Sequence, residues 1–370
     1  MEPIRVLQVL GGLNRGGAET MIMNLYRAVD KTKVQFDFII HSPNEDAYAS
    51  EIEAMGGKIF VFPKYNLKNT CSYKKHWKKF LSEHPEYKVV HSHVRSYAIV
   101  FLTVAKKFGL TTVVHSHSTS NGSGAGALVK MIMQRPLRKR VDYLFSCSEE
   151  SGRWLFGDKA ITKDNYRMIP NAVDTEKFLF NEKARIKMRG ELGIPDGTVA
   201  YCHVGRFHEA KNHPFLLEVF RKILDRGQNA VLLVAGDGDL RAEIEAKIDE
   251  LGISSSVKLL GSRGDVSDIL CAADAFIFPS RWEGLPVTVV EAQASGLTSF
   301  VSDTVTRDVN TSHLVKYLPI DSGTELWVDA ILNSELKREN VIEQIRAAGF
   351  DVHASAEWIS EFYIERTAAK

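Results

Sequence analysis

The chain has 370 residues, a length that predicts two domains because single domains usually span about 100–200 residues. Hydrophobic residues make up 44% of the chain and charged residues 25%, the balance of an ordinary globular protein. The 47 Lys and Arg residues nearly balance the 46 Asp and Glu residues, giving a net charge of +1. This argues against a generally basic nucleic-acid binder and against an acidic disordered chain.

Neither the cysteines nor the apolar segments indicate an exported or membrane-spanning protein. The four cysteines contain no C-x-x-C pair and lie in or near apolar runs, so we expect reduced thiols in the core. The run 6–10 is too short for a signal peptide, and 98–105 falls far short of the roughly 18 residues that a spanning helix needs. We therefore expect a cytoplasmic protein, with a peripheral membrane contact left open.

Apolar strand patterns alternate with helical periodicity along the first half of the sequence. The predicted strands of this half are 4–10, 36–40, 58–62, 89–90, 111–114 and 143–147. Its predicted helices are 18–29, 47–55, 74–81, 97–108 and 128–140. This half therefore consists of repeated strand–helix units.

The alternation restarts near residue 198, after a charge-rich, weakly patterned segment that we interpret as a link, 170–195. The predicted strands are 199–204, 230–235, 257–260, 275–278 and 299–302, and the predicted helices are 214–224, 240–251, 266–272 and 286–294. Apolar strands between helices predict parallel sheets that are buried on both faces. The expected fold class is α/β, with two Rossmann-like doubly wound domains facing a central cleft. Ligands are then expected at the carboxyl ends of the strands.

A glycine-rich loop, 11–20, joins the first predicted strand to the first predicted helix. Its glycines let the backbone approach a ligand, and the helix N-terminus offers free N–H groups to an anion. The loop is not a P-loop, because Gly17 and Ala18 stand where Lys and Ser/Thr are needed, and the dinucleotide spacing G-x-G-x-x-G is absent. A ligand contact and a simple tight turn both remain open.

Two histidine pairs follow predicted strands, His91 with His93 and His115 with His117. Residues two apart on a strand share a face. The pairs could form a metal site, contact a polar substrate, or bond to loop groups as structural residues. No H-E-x-x-H motif or carboxylate cluster accompanies them, so we favour substrate contact and expect no metal.

The second half contains a cationic loop followed by two spaced glutamates. Arg206 and Lys211 lie just before a predicted helix, where two cations could bind a diphosphate, although such a loop could also simply be solvated. Glu283 is expected in a loop at a strand end, and Glu291 about two turns into a helix that starts at Pro286. A glutamate among apolar neighbours is costly to bury unless it bonds a polar group such as a sugar hydroxyl, and the alternative is that Glu291 faces solvent.

These segments together resemble the retaining GT-B glycosyltransferases of family 4, which include enzymes of bacterial capsule, exopolysaccharide and lipopolysaccharide assembly. The resemblance is carried by the E-x7-E segment after Phe278-Pro279-Ser280 and by Gly205-Arg206 with Lys211-Asn212. It runs through nearly the whole chain, with further matching segments at 11–19, 117, 169–171, 236–238, 260–261 and 283–296.

The resemblance implies a role for each matching residue. Arg206 and Lys211 would neutralise the donor diphosphate, and Glu291 would bind the ribose hydroxyls. Glu283 would hold the donor sugar and distal phosphate, and His117 would approach that sugar from the first domain. The other donor-site residues would be Gly16, Gly17, Gly284, Leu285 and Val287, with the first two also lining the acceptor side.

The resemblance also implies a domain division. Residues 1–172 would form the acceptor-binding domain, to which a last helix at about 356–367 would return, so that 356–370 belong to it. Residues 173–355 would form the domain that binds the nucleotide sugar. Two departures from the family pattern, Ala172 after Asn171 and the segment 304–307, put the sugar specificity in doubt rather than the reaction class.

The implied reaction moves a sugar from a nucleotide diphosphate sugar, expected to be a UDP-sugar, to an acceptor hydroxyl with retention of configuration. No cofactor or metal is implied, and we interpret Asp237-Gly238-Asp239 as a turn rather than a metal motif. The alternatives are a GT-B sugar-nucleotide epimerase, a phosphorylase and a non-catalytic nucleotide-sugar-binding subunit. The phosphorylase interpretation is weakened because no lysine stands out that could form a Schiff base with a cofactor.

Two basic stretches, 74–79 and 135–140, bear on partners other than the donor. The resemblance implies a saccharide or lipid-linked acceptor in bacterial surface polysaccharide assembly. A basic, partly aromatic helix could rest on an anionic membrane, at the inner face of the plasma membrane, whereas both stretches could also be solvated helix faces. No nucleic-acid partner is expected.

Overall fold

The computed structural model describes residues 2–14, 16–42, 47–120 and 124–368. The chain divides into two compact units. The first unit comprises Met1–Ala172 together with Val352–Lys370, and the second comprises Val173–Asp351. Arg15 of the glycine-rich loop lies outside the described residues.

The first unit is built on a seven-stranded parallel sheet with the order β3-β2-β1-β4-β5-β6-β7. Its strands are β1 Ile4–Val9, β2 Val34–Ile40, β3 Ile59–Val61, β4 Val89–Ser92, β5 Thr111–Ser116, β6 Tyr143–Ser146 and β7 Tyr166–Met168. Its helices are α1 Gly17–Ala28, α2 Ala49–Ala54, α3 Thr70–Glu83, α4 Ala98–Lys107, α5 Ala125–Gln134, α6 Leu137–Arg140, α7 Glu149–Phe156 and α8 Asp158–Ile161, with α17 Val352–Ala368 from the end of the chain.

Both faces of this sheet are buried, because successive strand residues point to opposite sides. Val6 packs with Phe36 and other residues in the cluster that α1 and α17 cover, whereas Leu7 packs with Trp77 in the cluster that α3 and α4 cover. Helix α17 contacts α1 and strands β1, β2 and β4. It begins at Val352 rather than at the expected residue 356.

The second unit has a six-stranded parallel sheet with the order β10-β9-β8-β11-β12-β13. Its strands are β8 Val199–Val204, β9 Ala230–Ala235, β10 Val257–Gly261, β11 Ala275–Phe278, β12 Thr298–Ser302 and β13 Val315–Leu318. Its helices are α9 Thr175–Phe178, α10 Glu182–Glu191, α11 His213–Asp225, α12 Arg241–Glu250, α13 Val266–Ala272, α14 Val287–Ala294, α15 Thr324–Leu332 and α16 Ile342–Ala347. Two buried clusters cover the two faces of the sheet. The predicted α/β class with two doubly wound parallel sheets is confirmed.

The segment that we interpreted as a weakly patterned link contains two helices, α9 and α10. Helix α10 is held on the second unit by guanidinium groups rather than by a wide apolar face. Arg185 Nη2 lies 2.7 Å from Asp274 Oδ1, and Arg189 Nη2 donates to the carbonyl oxygen of Thr198 over 2.7 Å. Because a helix docked in this way has few periodic apolar residues, its sequence gave a weak helical signal.

The long helix expected over 128–140 is two helices, α5 and α6, which separate at Arg135 and Pro136. Arg135 and Pro136 both keep helical dihedral angles, but proline has no N–H to donate to the preceding turn, which interrupts the hydrogen bonds of the helix. Three short elements that the sequence did not indicate, α7, α8 and β7, complete the first unit, and β13, α15 and α16 complete the second unit.

The cysteine prediction is confirmed for three residues and wrong for one. Cys147, Cys202 and Cys271 are buried free thiols, whereas Cys71 is a free thiol on the exposed side of α3. No helix within the described ranges is both long and apolar enough to cross a bilayer.

Candidate functional site

The loops after β8, β9 and β10 meet at one edge of the second sheet. A cavity of about 320 Å³ opens there between Gly205 and Arg206 after β8, Asp237 after β9, and Ser262 with Arg263 after β10. This edge is the carboxyl end of the parallel strands, where open α/β sheets bind ligands. Ser262 and Arg263 are residues that the sequence analysis did not single out.

Glycine is required in this cavity because two backbone segments touch. Gly236 has φ of 153°, and a Cβ built on it would lie 1.9 Å from the carbonyl oxygen of Gly205. Gly238 is also constrained, since a Cβ built on it would lie 2.5 Å from the carbonyl oxygen of Phe207. The turn 237–239 therefore packs against the cationic loop with no side chain between them.

Arg206 extends from that contact toward solvent. Its Nη2 atom lies 3.1 Å from Asp239 Oδ2, and 67% of its side chain is exposed. An exposed pair of this kind contributes little to stability, so the guanidinium can exchange its partner for an anionic ligand at low cost. Asp237 pairs with Arg241 over 3.3 Å, so both carboxylates of the turn face arginines.

Lys211 and Glu283 form an ion pair, although 72 positions separate them in the sequence. Lys211 Nζ lies 2.7 Å from Glu283 Oε1, and the two side chains are only 17% and 14% exposed. The ammonium group also lies 4.6 Å from the centre of the Phe278 ring, a favourable cation–π distance. The structure thus brings together two of the predicted site residues from loops after the neighbouring strands β8 and β11.

Two local features hold these loops in place. Asn212 follows Lys211 and has φ of 55°, in the left-handed region that asparagine tolerates better than most residues. It ends the 3₁₀ turn Glu209–Lys211 and precedes helix α11. The backbone N–H of Arg281 donates to the carbonyl oxygen of Ala210 over 2.7 Å, which ties the two loops together directly.

Glu291 lies in the second turn of α14 and is half-buried. Burial raises the pKa of its carboxyl to about 7, and the charge of Lys177 on α9 opposes this rise. Among the described residues, no side chain hydrogen-bonds this carboxyl. Glu291 is thus only partly withdrawn from solvent, between the two alternatives that the sequence left open. The helix start was misplaced: Pro286 caps α14 in an extended conformation, and Val287 is the first helical residue.

The segment between Glu283 and α14 presents backbone rather than side chains. Leu285 and Val287 pack against the core of the second unit, so their backbone is what remains for a ligand. A Cβ on Gly284 would meet no atom within 4 Å, which leaves open space beside the chain. The hydroxyl of Thr288, buried and without a partner in the described part of the chain, is a further candidate that the sequence analysis missed.

In the first unit, His117 belongs to a hydrogen-bonded network of buried side chains. His93 Nδ1 lies 2.8 Å from His117 Nε2, and His93 Nε2 lies 3.0 Å from Gln8 Oε1. The Gln8 amide donates to the Tyr363 hydroxyl over 3.2 Å, and that hydroxyl is hydrogen-bonded to His91 Nδ1 over 2.6 Å. Helix α17 thus contributes a member of the network through Tyr363.

This network fixes the proton positions on His93 and His117. An amide oxygen only accepts, so His93 carries its proton on Nε2 and its Nδ1 accepts from Nε2–H of His117. Burial, with nearby His115 adding to it, holds the pKa of His117 well below its ordinary value. His117 is therefore neutral, and its buried Nδ1 is an acceptor without a partner in the described structure.

One ring nitrogen from each of His91, His93 and His115 lies within 4.8 Å of the others, a spacing that a metal ion could bridge. Both nitrogens of His93 and one of His91 are already hydrogen-bonded. A dication in this buried group would also lack an anionic partner, which is costly. The residues thus fit a hydrogen-bonded network better than a metal site, and the expectation of no metal stays a prediction.

The glycine-rich loop leads into helix α1, as predicted. Gly16 caps the helix, Gly17 is its first residue, and the N–H of Thr20 donates to the carbonyl oxygen of Gly16 over 2.9 Å. A Cβ on Gly17 would meet no atom within 4 Å, so the first turn is open. Gly16, Gly17 and His117 all belong to the first unit, whereas the cations and glutamates belong to the second.

Two family models match this chain, one in each half. The model described as "Glycosyltransferase Family 4" matches residues 15–177. The model described as "Glycosyl transferases group 1" matches residues 184–347.

The similarity to known proteins covers nearly the whole chain. A putative glycosyltransferase EpsF of Bacillus subtilis is 36% identical over 356 residues, covering 94% of this chain and 93% of the relative. An Escherichia coli UDP-Gal:alpha-D-GlcNAc-diphosphoundecaprenol alpha-1,3-galactosyltransferase is 26% identical, covering 77% of each chain. The crystal structure of Anabaena HepE in complex with UDP and glucose has the same fold, with a TM-score of 0.74 at 17% identity over 98% of this chain and 100% of that one.

Proposed function

Because this chain belongs to glycosyltransferase family 4 and transfers a sugar from a nucleotide sugar, we propose that its donor is a UDP-sugar, that its acceptor is a hydroxyl group, and that it retains the anomeric configuration. The observation that carries this proposal is the Lys211–Glu283 pair at the carboxyl edge of the second sheet. The UDP bound in the HepE structure and the UDP-galactose in the name of the E. coli relative support the choice of nucleotide.

In the proposed reaction, the bond between the anomeric carbon and the distal phosphate oxygen breaks, and a bond to the acceptor oxygen forms on the same face of the sugar. Negative charge grows on the departing diphosphate. Lys211, in a partly dry position, and the more exposed Arg206 stabilise that charge, since cations placed beside the leaving group favour the transition state over the ground state. The acceptor proton passes to the leaving phosphate oxygen, so no separate general base is required.

Both cations have partners that a donor can replace. Glu283 holds Lys211 in place, and it accepts hydrogen bonds from the sugar when the ammonium turns to the phosphate. Arg206 exchanges Asp239 for the diphosphate. The backbone N–H groups near Gly284, Leu285 and Val287 supply neutral donors at the start of α14.

Glu291 and His117 bind hydroxyl groups of the donor in this proposal. The Glu291 carboxyl has no side-chain partner within the described residues, and two adjacent ribose hydroxyls match its two oxygens. The buried Nδ1 of His117 lacks a donor, and a hydroxyl of the sugar would supply one. Gly17 offers the open first turn of α1 to the phosphate or the acceptor, and Gly16 caps that turn.

We propose that the acceptor is lipid-linked, that the product enters a bacterial surface polysaccharide, and that the enzyme works at the inner membrane surface. The diphosphoundecaprenol acceptor in the name of the E. coli relative supports this. We also propose that the chemistry needs no metal or other cofactor, because Arg206 and Lys211 already serve the diphosphate side and both carboxylates of the turn 237–239 pair with arginines.

The donor is tested by the thermal shift of the purified protein with UDP, ADP, GDP and a panel of their sugars. UDP and one UDP-sugar should raise the midpoint by mass action, and chelation with EDTA should leave the shift unchanged. Transfer to a synthetic alkyl-diphosphate N-acetylglucosamine is then followed by NMR, where the α-linked product is expected from an α-linked donor. Stabilisation by another nucleotide alone, an inverted product, or epimerisation of the free donor would each refute the proposal.

A further inference from the structure

We propose that helices α5 and α6 form a docking surface for an anionic lipid bilayer. Four large apolar side chains of α5 are exposed, with exposed fractions of 54% for Leu128, 37% for Val129, 40% for Met131 and 55% for Ile132. Gln134 is the only residue of this helix that is buried, within the described part of the chain. The apolar residues of α5 therefore do not serve the core of the first unit.

Other helices of this unit show what a core-facing helix looks like. Helix α3 buries Tyr73, Trp77, Phe80 and Leu81 and exposes its lysines. A helix whose apolar side chains face solvent instead marks an interaction surface, because contiguous exposed apolar patches are uncommon on proteins without partners. Helix α5 fits this description and α3 does not.

The charge next to α5 identifies the partner. Arg135, Arg138, Lys139 and Arg140 are exposed directly after it, and none of them pairs with a carboxylate among the described residues. The sequence has no Asp or Glu between Glu86 and Asp142. Apolar side chains flanked by unpaired cations are the pattern of a helix that lies in the interface of an anionic bilayer.

An aromatic side chain sits beside the same surface. Trp154 is 37% exposed and lines, with Met131, Arg135 and Arg138, a groove of about 460 Å³. Tryptophan favours the headgroup region of membranes, where its ring is partly apolar and its N–H can be hydrated. The groove therefore extends the α5–α6 surface with a residue suited to the same depth in a bilayer.

The structure also decides between the two basic stretches of the sequence. The aromatic residue of the stretch 74–79, Trp77, is fully buried and stacks on Phe101 at 4.8 Å between ring centres. Helix α3 consequently offers lysines without an apolar side chain to insert. The sequence left membrane contact through the stretch 74–79 open. Because Trp77 is buried, that stretch offers no aromatic side chain to a bilayer, and we assign the docking surface to α5 and α6.

The experiment measures co-sedimentation of the whole protein with two kinds of phosphatidylcholine vesicle. One contains about 30% phosphatidylglycerol, which is anionic, and the other contains none. Wild type should bind the anionic vesicles, more weakly as salt is raised. The double variants L128S/I132S and R135Q/K139Q should each bind at least tenfold more weakly. The variant K74Q/K75Q, with the same charge change on α3, is the matched control and should bind within about twofold of wild type.

This inference deepens the proposed lipid-linked acceptor, and vesicle binding is measured without any sugar transfer, so the two can fail separately. All variants should keep their thermal midpoint and their transfer to a water-soluble acceptor. The assignment is overturned if wild type does not bind anionic vesicles at low salt, or if the α3 variant loses as much binding as the α5–α6 variants. It is equally overturned if light scattering shows that L128S/I132S abolishes a dimer while vesicle binding is unchanged, because a second copy of the chain would then cover the face.

Discussion

At the scale of single residues, the site depends on a few charged side chains that differ in how far they and their partners are exposed to water. Lys211 is largely withdrawn from water and lies between the Glu283 carboxylate and the Phe278 ring. Arg206 is exposed to solvent and pairs with Asp239, which is also exposed. A cation held in a partly dry site stabilises growing charge more than a solvated one does. We therefore expect Lys211 to contribute more to the chemical step than Arg206.

Replacing Lys211 by alanine should lower kcat by about 10²–10³, the loss typical of one fixed donor to a developing negative charge. The measurement is steady-state transfer with saturating UDP-sugar. The matched control is Lys222→Ala, which removes a lysine of a solvent-exposed pair with Glu325 at 2.8 Å and should leave kcat within about twofold of wild type. A Lys211→Ala enzyme with nearly normal turnover would show that this ammonium does not serve the leaving group.

Glu291 should make stability depend on pH. Its pKa is about 7 in the folded protein, against an unperturbed value near 4.5, so the folded state holds the proton more tightly than the unfolded state. The stabilisation from the protonated carboxyl is present below about pH 4.5 and is lost as pH rises through 7. Glu291→Gln, which cannot ionise, should match wild type at pH 5 and exceed it by about 2–3 kcal/mol at pH 8.

The check for Glu291 is urea denaturation of both proteins at pH 5 and pH 8. The same variant should bind UDP more weakly at pH 8, where wild type presents a carboxylate to the ribose hydroxyls. A stability difference that does not change with pH would contradict the raised pKa, and unchanged UDP affinity by calorimetry would remove the ribose role.

At the scale of elements, the site is made by turns that bring backbone segments into contact. The turn after β9 touches the loop after β8 at Gly236 and Gly205, and the loop after β11 is bonded to the loop after β8 through Arg281 and Ala210. Asn212 closes the same loop in a left-handed conformation. These contacts set the positions of Arg206, Lys211 and Glu283 together.

Gly236→Ala should destabilise the second unit by about 3 kcal/mol, since a methyl group would overlap the Gly205 carbonyl oxygen and strain the backbone. UDP affinity should fall as the cavity edge shifts. Gly126→Ala is the control, because a Cβ there meets nothing within 4 Å and the helix α5 that contains Gly126 favours alanine. Equal unfolding midpoints in urea for both variants would contradict the close contact.

At the scale of the whole molecule, each unit has its own sheet and two buried clusters, and the last helix of the chain belongs to the first unit. Helix α17 buries Ile359, Phe362 and Tyr363 against that sheet, and Tyr363 also completes the hydrogen-bonded network that includes His117. Helix α17 is therefore part of the fold of the first unit and, through Tyr363, of the network that includes His117.

Ile359→Ala should cost about 2–5 kcal/mol of stability, the usual range for truncating a fully buried aliphatic side chain. Ile364→Ala on the same helix, where the side chain is 38% exposed, should cost less than about 1 kcal/mol. Thermal unfolding of both variants gives the comparison. A similar loss for both would mean that α17 does not pack through the face described.

Much of the fold was predictable because buried parallel strands leave continuous apolar runs in the sequence. Strands β8, β9 and β11 match the predicted ranges, as does helix α13. Helix α10 escaped because arginines bonded to Asp274 and backbone carbonyls hold it in place of apolar residues. Short half-exposed elements such as β7 escaped because a few residues show no clear period.

The sequence by itself determined the two α/β halves, the loops at strand ends and the residue types able to bind a diphosphate and hydroxyl groups, because these follow from local periodicity and from the chemistry of each side chain. Tertiary structure alone decided which groups are partners: Lys211 with Glu283, Arg206 with Asp239, and His117 with Gln8 and Tyr363 through His93. It also decided that Trp77 is buried while Leu128 and Ile132 are exposed. Partnership and burial depend on contacts between residues far apart in the chain, and no local pattern records them.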